Sequence, residues 1–413
     1  MNAKTTRLLA DALAGLTVAL VALPLAIAFG QASGMGAQAG ITTAVIAGFL
    51  AAAFGGSRFQ VSGPTGAMTV VLIPIISSDG PTAVLFIGLL AGVILTAVGL
   101  LKLGRHIHRL PTSIIEGFTA GIAVIIALQQ MGPALGQSVT AQPKVYATAW
   151  LSIAGWVSRP DIASLLVTAI CAVAVYLGTH RWPRVPVSIA VLVLASLVAS
   201  WGHLGLATVQ SLPGGIGIWN LSFLEKSTAT WNLIMPALAV AALAALESLL
   251  SAKVADSMRN DGTVHNSDKE LLGQGIANLV TPFFGGIPAT AALARTAVNV
   301  RSGAQTRLAA MFHAVFLAGI VLLLSNLVTF LPMPALAGVL LATAAHMIRP
   351  IEILHTIKAS RLDGLILIAT FILTIVTDLT TALIIGVLAW LILRKTPLSH
   401  SLPPISQDET LGD

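Results

Sequence analysis

A chain of 413 residues that is 56% hydrophobic and 9% charged, with a mean hydropathy of +0.91, is not a water-soluble fold. Soluble domains carry about 25% charged residues, and a span needs roughly 20 apolar residues, so this length holds about a dozen spans or more. The formal charge of +6 does not signal nucleic-acid binding: the basic residues sit in short loops between apolar runs, as the positive-inside rule requires.

The opening stretch carries one charged segment, then a long apolar run into Gly30-Gln31-Ala32-Ser33-Gly34 and directly into another span. It reads as a first transmembrane helix and not as a cleaved leader. Hydropathy predicts fourteen membrane segments, at about 12–33, 37–54, 65–77, 83–103, 112–131, 162–179, 186–202, 232–256, 270–284, 290–300, 306–328, 333–348, 362–377 and 380–394. The third and tenth are too short to span as helices, and each follows a Gly/Pro break. Residues 133–161 and 203–231 read as outer loops, with Trp150, Trp156, Trp219 and Trp231 suited to the interface. The single Cys171, inside an apolar run, excludes an internal disulfide and reads as a small buried hydrophobe. The polar tail, 396–413, reads as disordered.

Charge orients these segments. With both termini cytoplasmic, Lys144, Arg159 and Lys226 are the three basic residues of outer loops, Arg295 lies in the membrane, and the other eighteen of 22 face inward. That bias fits the positive-inside rule.

Two motifs recur. Phe54-Gly55-Gly56 leads to Pro64-Thr65-Gly66-Ala67, and Phe284-Gly285-Gly286 leads to Pro288-Ala289-Thr290-Ala291. Leu110-Pro111 with Gly117 recurs as Leu331-Pro332 with Gly338 at the same spacing. The copies fall on segments 3 and 10 and on segments 5 and 12. Seven is an odd number, so the halves are inverted relative to one another, which is the plan of many secondary transporters. Chance likeness between Gly/Ala/Leu-rich segments is the competing explanation for either match alone.

Broken segments at matching places in two halves point to a binding site. Helices starting mid-membrane at segments 3 and 10 would aim free N–H groups and partial positive charge at one point, an anion site built from backbone. Thr65 adds a hydroxyl on one side, and Thr290, Ala291, Ala292 and Leu293 form the opening turn on the other. The plainer explanation is that small residues only permit close helix packing. Arg295 lies at least a turn inside segment 10, where a cation costs roughly 2.5–3.5 kcal/mol on insertion scales and normally faces a cavity or partner. It adds positive field to the anion site, or else forms a structural salt bridge or snorkels inward. Glu247 stands in the most apolar context of any acid here, in PALAVAALAALESLLSA. It suits a proton carrier, a Na⁺ ligand together with Ser251 one turn later, or a structural partner for Arg295.

Glu116 and Asp11, Asp256 and Asp378 near segment ends read as solvated or capping residues. His106 and His108 lie in an inner loop, while His313 and His346 fall within spans. No His/Glu spacing resembles a metal site, and no Gly-rich phosphate loop with lysine occurs. The sparse inventory of acids and histidines argues against an enzyme, and no cofactor is expected beyond H⁺ or Na⁺ as coupling ion.

LPLAIAFGQASG at 23–34, VSGPTGAMTVVL at 61–72, ALESLLSAKVADS at 245–257 and the run from Asn266 to Thr306 resemble the SulP anion-transporter family, the solute carrier 26 family of animals. The resemblance extends to about Lys395. It implies an all-α polytopic membrane protein of fourteen segments in a seven-plus-seven inverted repeat, an architecture shared with nucleobase–cation symporters. The transport domain would be 1–395, with repeats at about 8–205 and 230–395. A core would comprise about 8–104 and 232–328, and a gate about 110–205 and 331–395, the core moving against the gate like an elevator. The anion would sit between the half-helices at Leu25, Phe29, Thr65, Gly66, Ala67, Ala291, Ala292 and Leu293, with Arg295 behind.

Glu247 matches an acidic position that helps bind the cation in sodium-driven bicarbonate members. Those members carry aspartate there; glutamate favours a proton. Members commonly continue into a cytoplasmic STAS domain and form dimers partly through it. Here 396–413 is too short for that domain, as in a natural short form or a truncation, and a homodimer stays an open expectation. The function expected is therefore a secondary active, proton-coupled symporter of a small anion such as sulfate, bicarbonate or a dicarboxylate like fumarate, in the bacterial inner membrane. A passive channel or a Na⁺-coupled symporter on the same scaffold is the alternative.

Overall fold

The computed structural model describes residues 3–104, 112–139, 142, 144–182, 186–209, 215–226, 231–259, 262–377 and short pieces between 382 and 390. Leu110-Pro111, Arg109, His106, His108, Asp378, most of the segment predicted at 380–394 and the tail lie outside the described residues. So do the side chains of Lys226 and Trp231.

The fold is helical. Helices α1 (Ala3–Ala32), α2 (Ala37–Phe54) and α3 (Gly66–Leu100) are followed by α4 (Thr112–Gln129), α5 (Val145–Ser158), α6 (Ile162–Arg181) and α7 (Val187–Trp201). The second half holds α8 (Ile234–Arg259), α9 (Ser267–Val280), α10 (Leu293–Arg301), α11 (Leu308–Val328), α12 (Met333–Met347), α13 (Pro350–Ala359) and α14 (Arg361–Val376). Among the described residues seven helices are long and apolar enough to cross a membrane, and 187–201 and 308–324 form shorter apolar helices.

Segments 65–77 and 83–103 are two helical stretches, grouped here as α3 and parted at Gly80, whose φ of 78° breaks the helical path just before Pro81. Other expectations are corrected. Residues 145–158, read as outer loop, form α5, too short and too richly flanked by polar residues to register as a span. Helix α13 likewise fills the connection between α12 and α14. The all-α expectation holds for the framework; within it lie two strands of two residues each, β1 (Ser62–Gly63) and β2 (Thr290–Ala291), which it did not include. These pair antiparallel, Ser62 opposite Ala291 and Gly63 opposite Thr290.

The packing divides into two compact units. One comprises Met1–His108 and Ile126–Thr343, the other Arg109–Ile125 and Ala344–Asp413. In the first, the core between α1, α2, α8, α10 and α11 is built largely of alanine, as in the cluster of Ala14, Ala255, Ala304 and Ala309 around Phe59. Small side chains let helix backbones approach closely where lipid offers no hydrophobic drive for association. In the second, Ile114, Leu362 and Ile366 pack together, and Ser113 donates to Asp363 at 3.0 Å.

The glycines of the second motif are helix crossings. A Cβ on Gly117 would collide with the backbone of Leu367 on α14, within the second unit. A Cβ on Gly338 of α12 would lie 2.7 Å from the Thr168 carbonyl oxygen and from Cys171 Cβ on α6, within the first.

Both Phe-Gly-Gly loops are held by a polar side chain from the other half. The buried Glu270 carboxylate on α9 accepts the N–H groups of Gly56 and Ser57, each at 2.9 Å. Thr43 on α2 accepts the Ile287 N–H at 2.7 Å and donates to the Ile287 carbonyl at 3.0 Å. Asn278 then clasps the amide of Ala289 from both sides, at 2.8 and 2.9 Å. Irregular backbone at membrane depth is tolerated only when protein satisfies it in this way.

Candidate functional site

The site begins at the strand pair. Two residues beyond Gly63 the chain turns into α3, and one residue beyond Ala291 it reaches Ala292, from which α10 starts. Pairing β1 with β2 therefore brings two helix N-termini to one place, each with first-turn N–H groups that the helix leaves unpaired. Thr290 and Ala291, expected as the opening turn of the second helix, are instead strand. Their backbone is engaged by β1 and by Ser248, whose hydroxyl accepts the Ala291 N–H at 3.2 Å and bonds the Thr290 hydroxyl at 3.1 Å. The Ala292 N–H goes to the Val61 carbonyl at 2.9 Å.

Thr65 is the N-cap of α3. Its hydroxyl oxygen accepts the Met68 N–H at 3.4 Å, and the hydroxyl donates to Glu247 Oε2 at 3.0 Å. A side chain on α8 is thus hydrogen-bonded to the cap of α3, 182 positions away in sequence. Glu247 is half-buried; Ser248 and Ser251 beside it are buried. Ser251 of α8 donates to Thr296 of α10 at 3.1 Å, and Thr296 in turn accepts the N–H of Val61, the residue before β1, at 3.1 Å.

Arg295 is 1% exposed and donates from Nη2 to the Pro64 carbonyl at 2.6 Å. It does not snorkel to a surface. The charges of Arg295 and Glu247 act on one another, yet among the described residues no ion pair within 4.0 Å joins them. Gly63, at φ 152°, makes room for the guanidinium: a Cβ there would lie 2.5 Å from Nη1.

Phe29 and Leu25 on α1 are buried, as are Gly66 and Ala67 in the first turn of α3. A Cβ on Gly66 would strike Ile126 and approach the Phe29 ring to 3.2 Å. Ala292 and Leu293 keep partial exposure and Ala294 is exposed, so the start of α10 is open where the start of α3 is closed over. The structure thus groups Phe29, Thr65, Gly66, Ala291, Arg295 and Glu247 around the strand pair.

Two of the weaker candidates are structural. Asp11 is buried and accepts the N–H groups of Gln305 and Thr306, at 2.6 and 3.0 Å, and the Thr306 hydroxyl. Asp256 pairs with His265 at 2.6 Å. Sequence reasoning missed Ser248, Thr296, Gln274 and the strands. Gln274 donates to both Ser62 and Glu270, at 2.7 and 3.0 Å, linking β1 to the Phe-Gly-Gly anchor. The one signal was polar spacing: Glu247, Ser248 and Ser251 share a face of an otherwise apolar helix.

Residues 8–370 match the family model described as sulfate permease family. The YvdB protein of Bacillus subtilis strain 168 is 37% identical over 382 residues, 92% of this chain and 72% of its own length. The bicarbonate transporter BicA of Synechocystis is 34% identical, over 91% of this chain and 68% of its own. The solved transmembrane domain of a cyanobacterial BicA superposes with a TM-score of 0.81 at 30% identity, covering 92% of this chain and 98% of that one. A murine solute carrier 26 family member A9, in an inward-facing state, shares the fold at a TM-score of 0.84 and 16% identity, over 93% of this chain and 68% of its own.

Proposed function

The chain belongs to the sulfate permease family, a family of membrane transporters and not of enzymes, and from that membership we propose that it is a secondary active anion transporter, a proton-coupled symporter. The observation that carries this reading is the pairing of Ser62–Gly63 with Thr290–Ala291, which sets two helix N-termini side by side. Partial positive charge at both, with an arginine behind them, suits a small anion. Thr65, Gly66 and Ala67 form one wall, Ala291, Ala292 and Leu293 the other, and Leu25 and Phe29 an apolar lid. Sulfate, bicarbonate and a dicarboxylate such as fumarate all fit that chemistry; the family description favours the first and the BicA relatives the second.

Glu247 is the coupling residue in this reading. As a carboxylate it accepts from Thr65, and Thr65 accepts from Met68, so its proton state reaches the first turn of α3 through two hydrogen bonds. Protonated, it no longer needs the Thr65 proton, and the hydroxyl is free to turn toward an anion. The fourteen-segment inverted repeat, the cytoplasmic placement of both termini and an elevator-type exchange belong to the same proposal. Support comes from the reciprocal motifs: α9 holds the loop after α2, α2 holds the loop after α9, and the repeated glycines both mark helix crossings.

The test is uptake of labelled sulfate, bicarbonate and fumarate into proteoliposomes with an inward H⁺ gradient, an inward Na⁺ gradient, or neither. Acceleration of one anion by H⁺ names the substrate and supports Glu247 as carrier. Acceleration by Na⁺ alone moves Glu247 to a cation site. Flux that only ever runs down the anion's own gradient identifies a channel.

A further inference from the structure

Behind β1, on the side of α2, lie two buried cationic-type side chains with nitrogens that the described residues leave unpartnered. His313 of α11 is 0% exposed, and neither ring nitrogen has a hydrogen-bond partner among the described residues. Arg295 spends Nη2 on Pro64, while Nε and Nη1 have no partner there. They stand at neighbouring points along the seam between β1 and α2, Arg295 at Gly63 and His313 at Gly48. Arg295 Nη1 stands at Gly63, whose own Cβ position would lie 3.2 Å from Ala44 Cα. One turn along α2, the Cβ position of Gly48 would lie 3.2 Å from the Ser62 carbonyl oxygen and 3.8 Å from His313 Cδ2. The arginine's charge reaches the imidazole.

A buried polar group left unpaired costs about 1–3 kcal/mol, and four nitrogens together would be a heavy burden on a site of two-residue strands. Natural proteins meet that cost with ordered water making about three hydrogen bonds. A neutral imidazole supplies what Nε and Nη1 lack among the described residues, an acceptor, since a guanidinium is donor only.

We propose that His313, neutral and acting through a bridging water, positions Arg295: the water accepts from the guanidinium and donates to the ring. His313 is then a positioning residue, held on α11 and touching no anion. It fixes how far the guanidinium leans toward the helix N-termini. The inference rests on the reading of Arg295 as part of the anion site, and it extends that reading to a residue on another helix.

The test is a double-mutant cycle of Arg295→Met with His313→Leu, with His313→Gln as the conservative variant. Two readouts are taken on purified full-length protein: unfolding temperature without anion, and the half-saturation concentration for sulfate and bicarbonate uptake. His313→Leu is expected to raise half-saturation at least about 5-fold while maximal rate stays within about 2-fold. His313→Gln, which keeps an acceptor, should restore it, and the two losses should be non-additive in both readouts, as for residues sharing one network. Additive unfolding temperatures would overturn the pairing. So would wild-type half-saturation in His313→Leu alongside a weakened Arg295→Met, or equal losses in the Leu and Gln variants. If Arg295→Met leaves half-saturation unchanged, the anion-site reading fails instead, and the anion-free unfolding temperatures still decide the pairing.

Discussion

At the scale of single residues, the site depends on three kinds of side chain. Glu247 carries the titratable group, so Glu247→Gln should abolish gradient-driven uptake while leaving folded protein, as judged by gel filtration in detergent. Uptake that keeps its pH dependence would remove Glu247 from the coupling role. Thr65 joins that carboxylate to the helix cap. Replacing an N-cap threonine by alanine costs about 1 kcal/mol, and Thr65→Ala should add a loss of coupling that Thr65→Ser does not show. Gly63 acts by being small: Gly63→Ala should push Arg295 Nη1 from a position only 2.5 Å away, raising anion half-saturation several-fold in the same uptake assay. These roles were unequally legible. Glu247 and Arg295 stood out because charge in an apolar run is expensive. The Thr65 bond to Glu247 spans 182 positions and leaves no local trace in the sequence.

At the scale of elements, the breaks were legible and their geometry was not. Gly and Pro at 54–66 and 284–291 announced where helices stop, and α2 spans the residues expected of it, 37–54. Two-residue strands lie below any periodicity, so β1 and β2 could be found only once both halves were folded. The anchors of the broken loops follow the same logic. Glu270 is a buried carboxylate that accepts two backbone N–H groups and an amide. Glu270→Leu strands those donors and should destabilise by roughly 1–3 kcal/mol, visible as a lower unfolding temperature, with Glu270→Gln milder. Equal stability of the two variants would mean that the loop finds other partners.

At the scale of the whole molecule, composition alone established a polytopic membrane protein, and sequence and fold comparisons agree. Charge predicts an orientation, with both termini cytoplasmic. In a Cys171→Ser background, single cysteines at Lys144 and Arg159 should react with an impermeant maleimide from outside intact cells, and one at Arg301 only after lysis. Labelling of Arg301→Cys in intact cells would reverse the topology. What composition could not convey is the backbone at Gly80, where a φ of 78° parts the two helical stretches of α3.

The strand pair also sets a timetable for making the protein. Ser62 and Ala291 are partners separated by 229 positions. At about 5–20 residues per second, Ser62 leaves the ribosome roughly 10 to 50 seconds before its partner. Throughout that interval the strand edge of the first broken segment is unmatched, a condition that lipid would penalise severely. Glu270, Arg295 and Ser248, the side chains that end the wait, all arrive from the second half. The nascent first half therefore depends on keeping its broken segment near the translocon or an aqueous boundary, and premature termination anywhere before Ala291 should yield a species marked for quality control, however complete its individual spans.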